Sequence, residues 1–191
     1  KVWVLNGHHA AHLIVSASAP GGVSLFLVSR DAPGVTIETA KMIDGHKAAF
    51  ISFDDVTVGA DARLGEEGAG ATVLDRTMDY AAAAAVAEGV GIATAMLHMT
   101  VDYLGTREQF GVKIGSFQAL QHRAVDMYAE TELLRSISMA SMVRADDDDA
   151  SARRGDVSAA KYQLATGGIW VAQQSLQLHG GIGVTDEHDI G

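Results

Sequence analysis

Apolar and polar positions follow one pattern in the first third of the chain and another in the rest, and the change falls near residue 65. Before it, short apolar runs rich in β-branched residues are separated by turns of Gly, Pro, Asp and His. Short runs at regular spacing, with turn residues between them, predict an antiparallel β unit. We expect its strands at residues 2–7, 12–19, 23–30, 35–42 and 49–58.

After the stretch GEEGAGA (65–71) the pattern becomes helical, and no proline follows Pro33. Ser116 is the expected N-cap of the second helix, because an apolar stripe of period 3.6 follows it from Phe117 to Tyr128. Long helices with short connections predict an antiparallel bundle. We expect helices at about 70–105, 117–144 and 157–178, and a fourth that begins near Thr185.

The predicted fold class is therefore α+β, with an antiparallel β domain over residues 1–65 and a helical domain over 66–191. The charged run ADDDDASARRGD (145–156) is interpreted as a solvated loop between helices, since no EF-hand spacing surrounds its aspartates. We expect no metal site. The chain has no βαβ alternation and no GxGxxG motif, which argues against a Rossmann nucleotide site.

Composition excludes several function classes. The net charge of −10 argues against nucleic acid as a partner, because phosphate binding needs a basic face. The absence of cysteine excludes disulfides, Cys-ligated zinc and thiol chemistry. No uninterrupted apolar run reaches the roughly 18 residues of a membrane span, so no membrane association is expected. The chain begins at Lys1 and stops within a patterned segment, so we expect a piece of a longer protein.

Two stretches carry candidate chemistry. In REQFGVKIGSFQALQHRAVDM (107–127), Arg107 stands at a helix junction, where a guanidinium beside helix N-terminal N–H groups favours an anion. The alternative interpretation is that Arg107 caps the preceding helix. In QLHGGIGVTDE (177–187), the glycines either let the chain reverse at a helix end or let a ligand approach the backbone.

Together these stretches resemble the acyl-CoA dehydrogenase family, through the runs R-x-Q-F-G-x-x-I-x-x-F-Q and Q-x-H-G-G-I-G-x-x-x-E. KVWVLNG (1–7) and FDDVTVGADARLGEEGAG (53–70) resemble passages of its middle β domain. The resemblance implies a cytoplasmic flavoprotein (mitochondrial matrix in a eukaryote) of fatty-acid and lipid metabolism. It implies FAD, an acyl-CoA substrate, electron-transfer flavoprotein as electron acceptor, and a homo- or heterotetramer. A carboxylate base would remove the α-proton while a β-hydride passes to the flavin.

The resemblance also implies site residues. The segment expected against the isoalloxazine comprises Trp3, Val4 and Leu5. The residues expected at the neighbouring subunit's FAD, with Arg107 on the pyrophosphate, are Arg107, Gln109, Phe110, Ile114, Phe117 and Gln118. Those expected near the adenosine end are Gln177, Gly180 and Gly181. Those expected near the thioester are Met78 and Asp79. His179 is left open between contact with the flavin or a partner chain and a structural role.

Two positions depart from the family pattern. Leu5 stands where the family usually has a Thr or Ser that donates a hydroxyl hydrogen bond to the flavin. On the first long helix, the position that carries the base in one branch of the family is Ala81, and Ala82 replaces the Arg that commonly follows. Glu88 lies about 10 Å further along that helix, and Asp79 points about 160° away. The base is therefore expected beyond residue 191 or on a partner subunit.

Three hypotheses follow. The first is a dehydrogenase whose base lies outside this stretch of sequence. The second is a non-catalytic subunit that completes the flavin site of a heterotetramer, as in sterol side-chain degradation. The third is a scaffold that has lost the cofactor.

Overall fold

The computed structural model describes all 191 residues, which form two compact units, Lys1–Asp75 and Arg76–Gly191. The first is built of antiparallel strands and the second of helices, so the predicted α+β class is confirmed. Each unit has its own apolar core.

Six strands make two three-stranded antiparallel sheets in the first unit, with orders β1-β5-β4 and β2-β3-β6. The core between them contains Leu13, Ala49 and Ile51. All five predicted strands are present, although the first is short because Trp3 and Asn6, on either side of it, have positive φ. The strands are β1 (Val4–Leu5), β2 (His12–Ala19), β3 (Gly22–Ser29), β4 (Val35–Lys41), β5 (Lys47–Phe53) and β6 (Arg63–Leu64).

The second unit contains four long helices around a core to which all of them contribute. From α1 come Val86, Val90 and Leu97, while Met127 and Val171 come from later helices. The helices are α1 (Gly70–Thr106), α2 (Gln118–Ala145), α3 (Ala150–Gln163) and α4 (Ile169–His179). A single π-helical turn, Leu164–Gly168, joins α3 to α4.

The interpretation of residues 145–156 as one loop is wrong. The connection between α2 and α3 contains only residues 146–149, and α3 begins at Ala150 rather than at residue 157. The reason is a cap: the Asp149 carboxylate accepts hydrogen bonds from the backbone N–H groups of Ser151 (2.9 Å) and Ala152 (3.2 Å). These bonds satisfy donors that the first turn of a helix leaves without partners.

Three helix boundaries also differ from the prediction. The residue that caps α2 is Phe117, because the Ser116 hydroxyl donates to the Lys113 carbonyl at 2.7 Å instead. The first helix continues through Gly105 to Thr106. No helix begins near Thr185, where the backbone is extended and the hydroxyl donates back to the Ile182 carbonyl at 2.9 Å.

By length and composition alone, α1 is long and apolar enough to cross a membrane. This is weak evidence, because a helix in the core of a soluble protein meets the same test. One face of α1 lies in the core with α2 and α4, and Val86 on that face is fully buried. Packing in the core therefore explains the apolar residues on this face of α1.

Candidate functional site

A cleft of about 590 Å³ opens at one end of the helical unit, which we call the arginine cleft. Its walls come from the end of α1, the segment 107–114, the first turns of α2 and the turn after α4. Six predicted cofactor residues line it: Arg107, Gln109, Ile114, Gln177, Gly180 and Gly181. The structure thus brings together the two sequence motifs, which lie about 60 residues apart in the chain.

A tight hairpin positions Arg107. Strands β7 (Glu108–Gln109) and β8 (Val112–Lys113) pair antiparallel, and the two residues between them have positive φ, Phe110 at 56° and Gly111 at 78°. This is the geometry of a type I′ turn, which favours glycine. The Arg107 carbonyl accepts the Ile114 N–H at 2.9 Å, while its guanidinium makes no hydrogen bond or ion pair within the chain. The capping role considered for its side chain is therefore not seen.

The turn after α4 exposes backbone. Gly180 has φ 64° and ψ −139°, a conformation essentially restricted to glycine. At both Gly180 and Gly181 a Cβ would meet no atom within 4 Å. At Gly183, by contrast, it would lie 2.9 Å from the Leu176 carbonyl oxygen. The first two glycines leave open surface beside the cleft, and the third serves close packing.

His179 forms the buried floor of this turn. Its ring stacks on Tyr103 at 4.5 Å and lies 4.8 Å from the ring of His188. Its Nδ1 donates to the Ser175 carbonyl at 2.8 Å, and its buried Nε2 has no partner. Burial lowers the pKa of His179, and the nearby His188 lowers it further, against the opposing effect of the Ser175 hydrogen bond. The neutral imidazole is the form that this packing favours.

Sequence reasoning missed the second arginine of the cleft, Arg123. Its Nε and Nη2 donate to the Gln174 side-chain oxygen at 2.9 and 2.5 Å. The two residues are 51 positions apart, on α2 and α4. Arg123 lies within the motif at residues 107–127, but nothing in the sequence indicates that it contacts Gln174.

Three predicted residues, Phe110, Phe117 and Gln118, lie outside the cleft lining. Phe110 stands at the tip of the hairpin, 91% exposed, and contacts Phe117 edge to face at 6.2 Å between ring centroids. Gln118 is exposed at the first residue of α2. All three side chains are exposed on the helical unit.

The other residues predicted to contact the flavin, Trp3, Val4 and Leu5, belong to the β unit. Trp3 is 58% exposed at φ 53°, and its ring meets Phe50 edge to face at 5.1 Å. Val4 and Leu5 pair with β5, and the Leu5 side chain is exposed. A leucine offers no side-chain hydrogen bond, so only backbone polar groups are available there.

The two expected thioester residues face different ways. Met78 is exposed, whereas Asp79 is only 6% exposed and its Oδ2 accepts from Arg153 Nε at 2.8 Å. Arg154 Nε lies 3.8 Å from the other carboxylate oxygen. Asp79 is therefore committed to an ion pair inside the protein. Ala81 is exposed, so the helix surface at this position carries no acid.

The chemistry of the arginine cleft suits an anion. It presents two guanidiniums, two glutamine side chains and open glycine backbone, and no carboxylate lines it. Guanidinium groups match the oxygens of phosphate in a two-pronged geometry.

Residues 68–191 match the family model described as acyl-CoA dehydrogenase, C-terminal domain. The chain belongs to the acyl-CoA dehydrogenase family.

Known members of the family match the whole chain but extend well beyond it. It is 33% identical over 201 residues to the mitochondrial isovaleryl-CoA dehydrogenase of Oryza sativa subsp. japonica, covering 100% of this chain and 48% of that protein. A solved variant of the steroid ACAD Tcur3481-Tcur3483 is 36% identical with TM-score 0.84, over 100% of this chain and 50% of that one. The ChsE4-ChsE5 complex from Mycobacterium tuberculosis is 30% identical with TM-score 0.84, over 98% and 50%. The chain thus spans about half the length of these relatives.

Proposed function

We propose that this chain is part of an FAD-dependent acyl-CoA dehydrogenase, an oxidoreductase that introduces a double bond between Cα and Cβ of an acyl-CoA thioester. The observation that carries the proposal is the arginine cleft. Two motifs distant in sequence meet there and present cationic and amide donors beside bare glycine backbone. These groups fit the diphosphate and adenosine parts of the cofactor.

FAD, when bound, supplies the acceptor for the β-hydride. In this proposal Arg107 holds the pyrophosphate and Gln177, Gly180 and Gly181 hold the adenosine end. The exposed Phe110, Phe117 and Gln118 face a neighbouring subunit's FAD together with Gln109 and Ile114. In the β unit, the exposed Trp3 with Val4 and Leu5 lies against the isoalloxazine, and backbone groups replace the missing hydroxyl at position 5.

The catalytic base is proposed to come from outside residues 1–191. Ala81 occupies the helix position at which a branch of the family carries an acid, and it is exposed without a polar group. Asp79 is buried against Arg153, so it does not substitute. A base must lie within hydrogen-bond reach of the proton it removes. Either a further segment of the protein or a partner subunit has to supply it.

The test is spectroscopic. Full-length protein containing this chain is purified, its flavin absorbance is recorded, and acyl-CoA substrates of several types are added anaerobically. We expect about one FAD per active site and bleaching of the flavin band by at least one acyl-CoA. Protein that binds no FAD in any assembly would contradict the proposal and favour a scaffold.

A second candidate is a non-catalytic subunit that completes the flavin site of a heterotetrameric dehydrogenase. The absence of an acid at Ala81 and of an Arg at Ala82 favours it. Two of the similar structures, the steroid ACAD Tcur3481-Tcur3483 and the ChsE4-ChsE5 complex, carry names that pair two proteins. Expression of the full-length protein alone, and together with a candidate partner subunit of the same family, separates the two candidates. Stoichiometric FAD and turnover by the protein alone would exclude the subunit role.

Further parts of the proposal follow the family. Residues 1–65 correspond to its middle β domain and residues 66–191 to its C-terminal domain. We propose electron-transfer flavoprotein as the electron acceptor, a tetrameric assembly, and a location in the cytoplasm, or in the mitochondrial matrix of a eukaryote. Turnover with purified electron-transfer flavoprotein as sole acceptor tests the first of these.

A further inference from the structure

The arginines of this chain divide into two groups by their partners. Of nine arginines in the sequence, seven lie within 4.0 Å of a carboxylate oxygen. The two exceptions are Arg107 and Arg123, and both line the arginine cleft. In a chain with 24 acidic and 14 basic residues, acids to pair with them are not scarce. Their lack of acidic partners is therefore a local property of the cleft.

Arg123 is held without losing its charge. Its Nε and Nη2 both donate to the Gln174 side-chain oxygen, and Gln174 contributes no formal charge. A guanidinium has five N–H donors, so three remain after these two bonds. A half-buried side chain fixed in this way loses less conformational entropy when it binds a ligand. Gln174 therefore fixes the Arg123 side chain without neutralising its charge.

The surroundings of Arg123 suit a doubly charged ligand. Arg107 provides a second unpaired guanidinium in the same cleft, which has no acidic lining residue. Two guanidiniums offer two sites for phosphate oxygens, and charge-assisted bonds of this kind are the stronger ones. Gly180 and Gly181 leave room for a ligand to approach the backbone.

We propose that Arg123, positioned by Gln174, binds an organic diphosphate of the kind present in both FAD and coenzyme A. In the FAD case the inference rests on the proposed function. It adds a second cation and its supporting residue to the site.

The experiment measures dissociation constants by calorimetry on full-length protein stripped of flavin, with FAD, coenzyme A and adenosine as probes. Arg123→Gln is expected to weaken binding of FAD or of coenzyme A by about 10- to 100-fold, the range for one charged hydrogen-bonded contact. Adenosine, which lacks phosphate, is expected to bind equally to all variants. The matched control is Arg135→Gln, which removes a charge from the same helix where Arg135 pairs with Glu132, and it is expected to change nothing.

Gln174→Glu separates this role from a structural one. The new carboxylate would pair with Arg123 as the other seven arginines are paired, so diphosphate binding is expected to weaken about tenfold without loss of thermal stability. If the contact only joins α2 to α4, Gln174→Glu leaves binding unchanged, which would overturn the inference.

If Arg123→Gln weakens the binding of FAD alone, the flavin is the ligand. If it weakens the binding of coenzyme A alone, the substrate is the ligand. Either result supports the inference. Unchanged binding of both probes to Arg123→Gln overturns it. Bleaching of the flavin by acyl-CoA in that same variant would leave the proposed function standing, so the two can fail separately.

Discussion

The two ends of the helical unit use the same kind of side chain for different purposes. One end, which we call the acidic end, contains Arg76–Tyr80 of α1, the connection 146–149 and Arg153. The other is the arginine cleft, about 36 Å further along α1 by its 1.5 Å rise per residue. At the acidic end every guanidinium meets a carboxylate, whereas at the cleft neither does. Pairing, rather than residue type, separates an arginine that stabilises the fold from one available to a ligand.

The four consecutive aspartates at the acidic end have four different tasks. Asp146 accepts the Tyr80 hydroxyl at 2.6 Å, and Asp148 lies 3.5 Å from Arg76. Asp147 accepts from Arg144 at 2.9 Å and Asp149 caps α3. A hydrogen bond from the Asp149 N–H, followed by the one from Arg144, lowers the pKa of Asp147. The contacts of Asp146 and Asp148 hold the α2–α3 connection against α1.

The largest effect is expected from breaking the buried ion pair. Arg153→Met removes the buried partner of the Asp79 carboxylate and leaves only the half-exposed Arg154, 3.8 Å away. Removal of one member of a buried ion pair costs about 3–5 kcal/mol. Arg107→Met, at the cleft, is expected to change stability by less than about 0.5 kcal/mol because that side chain is exposed and unpaired. Urea unfolding followed by circular dichroism measures both. Equal losses would remove the distinction between the two ends.

A double variant sharpens this result. Asp79→Leu combined with Arg153→Met removes both charges, and replacing a buried pair by apolar groups is often neutral. We expect it to recover most of the stability lost in Arg153→Met alone. If the double variant is as unstable as the single one, packing of the Arg153 stem rather than its charge carries the effect.

The next effect concerns acid sensitivity at the cleft. Because the pKa of His179 is lowered in the folded protein, the unfolded chain protonates this imidazole at a higher pH than the folded protein does. The contribution of His179 is therefore full above pH 6.5, the ordinary value, and is lost as the pH falls below it, by at most about 1.4 kcal/mol per pH unit. Urea unfolding at pH 7.5 and 5.5 measures it. His179→Gln should reduce the pH dependence, and an unchanged pH dependence in this variant would contradict the role given to His179.

The smallest effect separates two adjacent aspartates. Asp149→Ala removes the cap of α3 and is expected to cost about 1 kcal/mol. Asp148→Ala removes a carboxylate that is 97% exposed, and is expected to cost less than about 0.5 kcal/mol. The same unfolding assay compares them. Similar losses in the two variants would show that the connection depends on total charge and not on the cap.

Local patterns predicted most of the fold because the forces involved are local. Alternation and turn residues located five of the six strands of the β unit, and the apolar period located the long helices. The errors fell where a side chain met a specific backbone group. The Asp149 cap starts α3 at Ala150, seven residues before the predicted start. The Phe110–Gly111 turn forms a hairpin in a stretch interpreted only as a helix junction.

The sequence by itself determined the family, the order of a β unit before a helical one, and the absence of an acid at Ala81. Whether a charged residue is free or paired was decided only by the tertiary structure. Asp79 and Arg153 lie 74 positions apart and Arg123 and Gln174 lie 51 apart, so no local pattern links them. Ion pairs and hydrogen bonds depend on distances of about 3 Å, which packing of the helices sets. For that reason Arg107 could be predicted from the sequence as a site residue, whereas Arg123 became a candidate only in the structure.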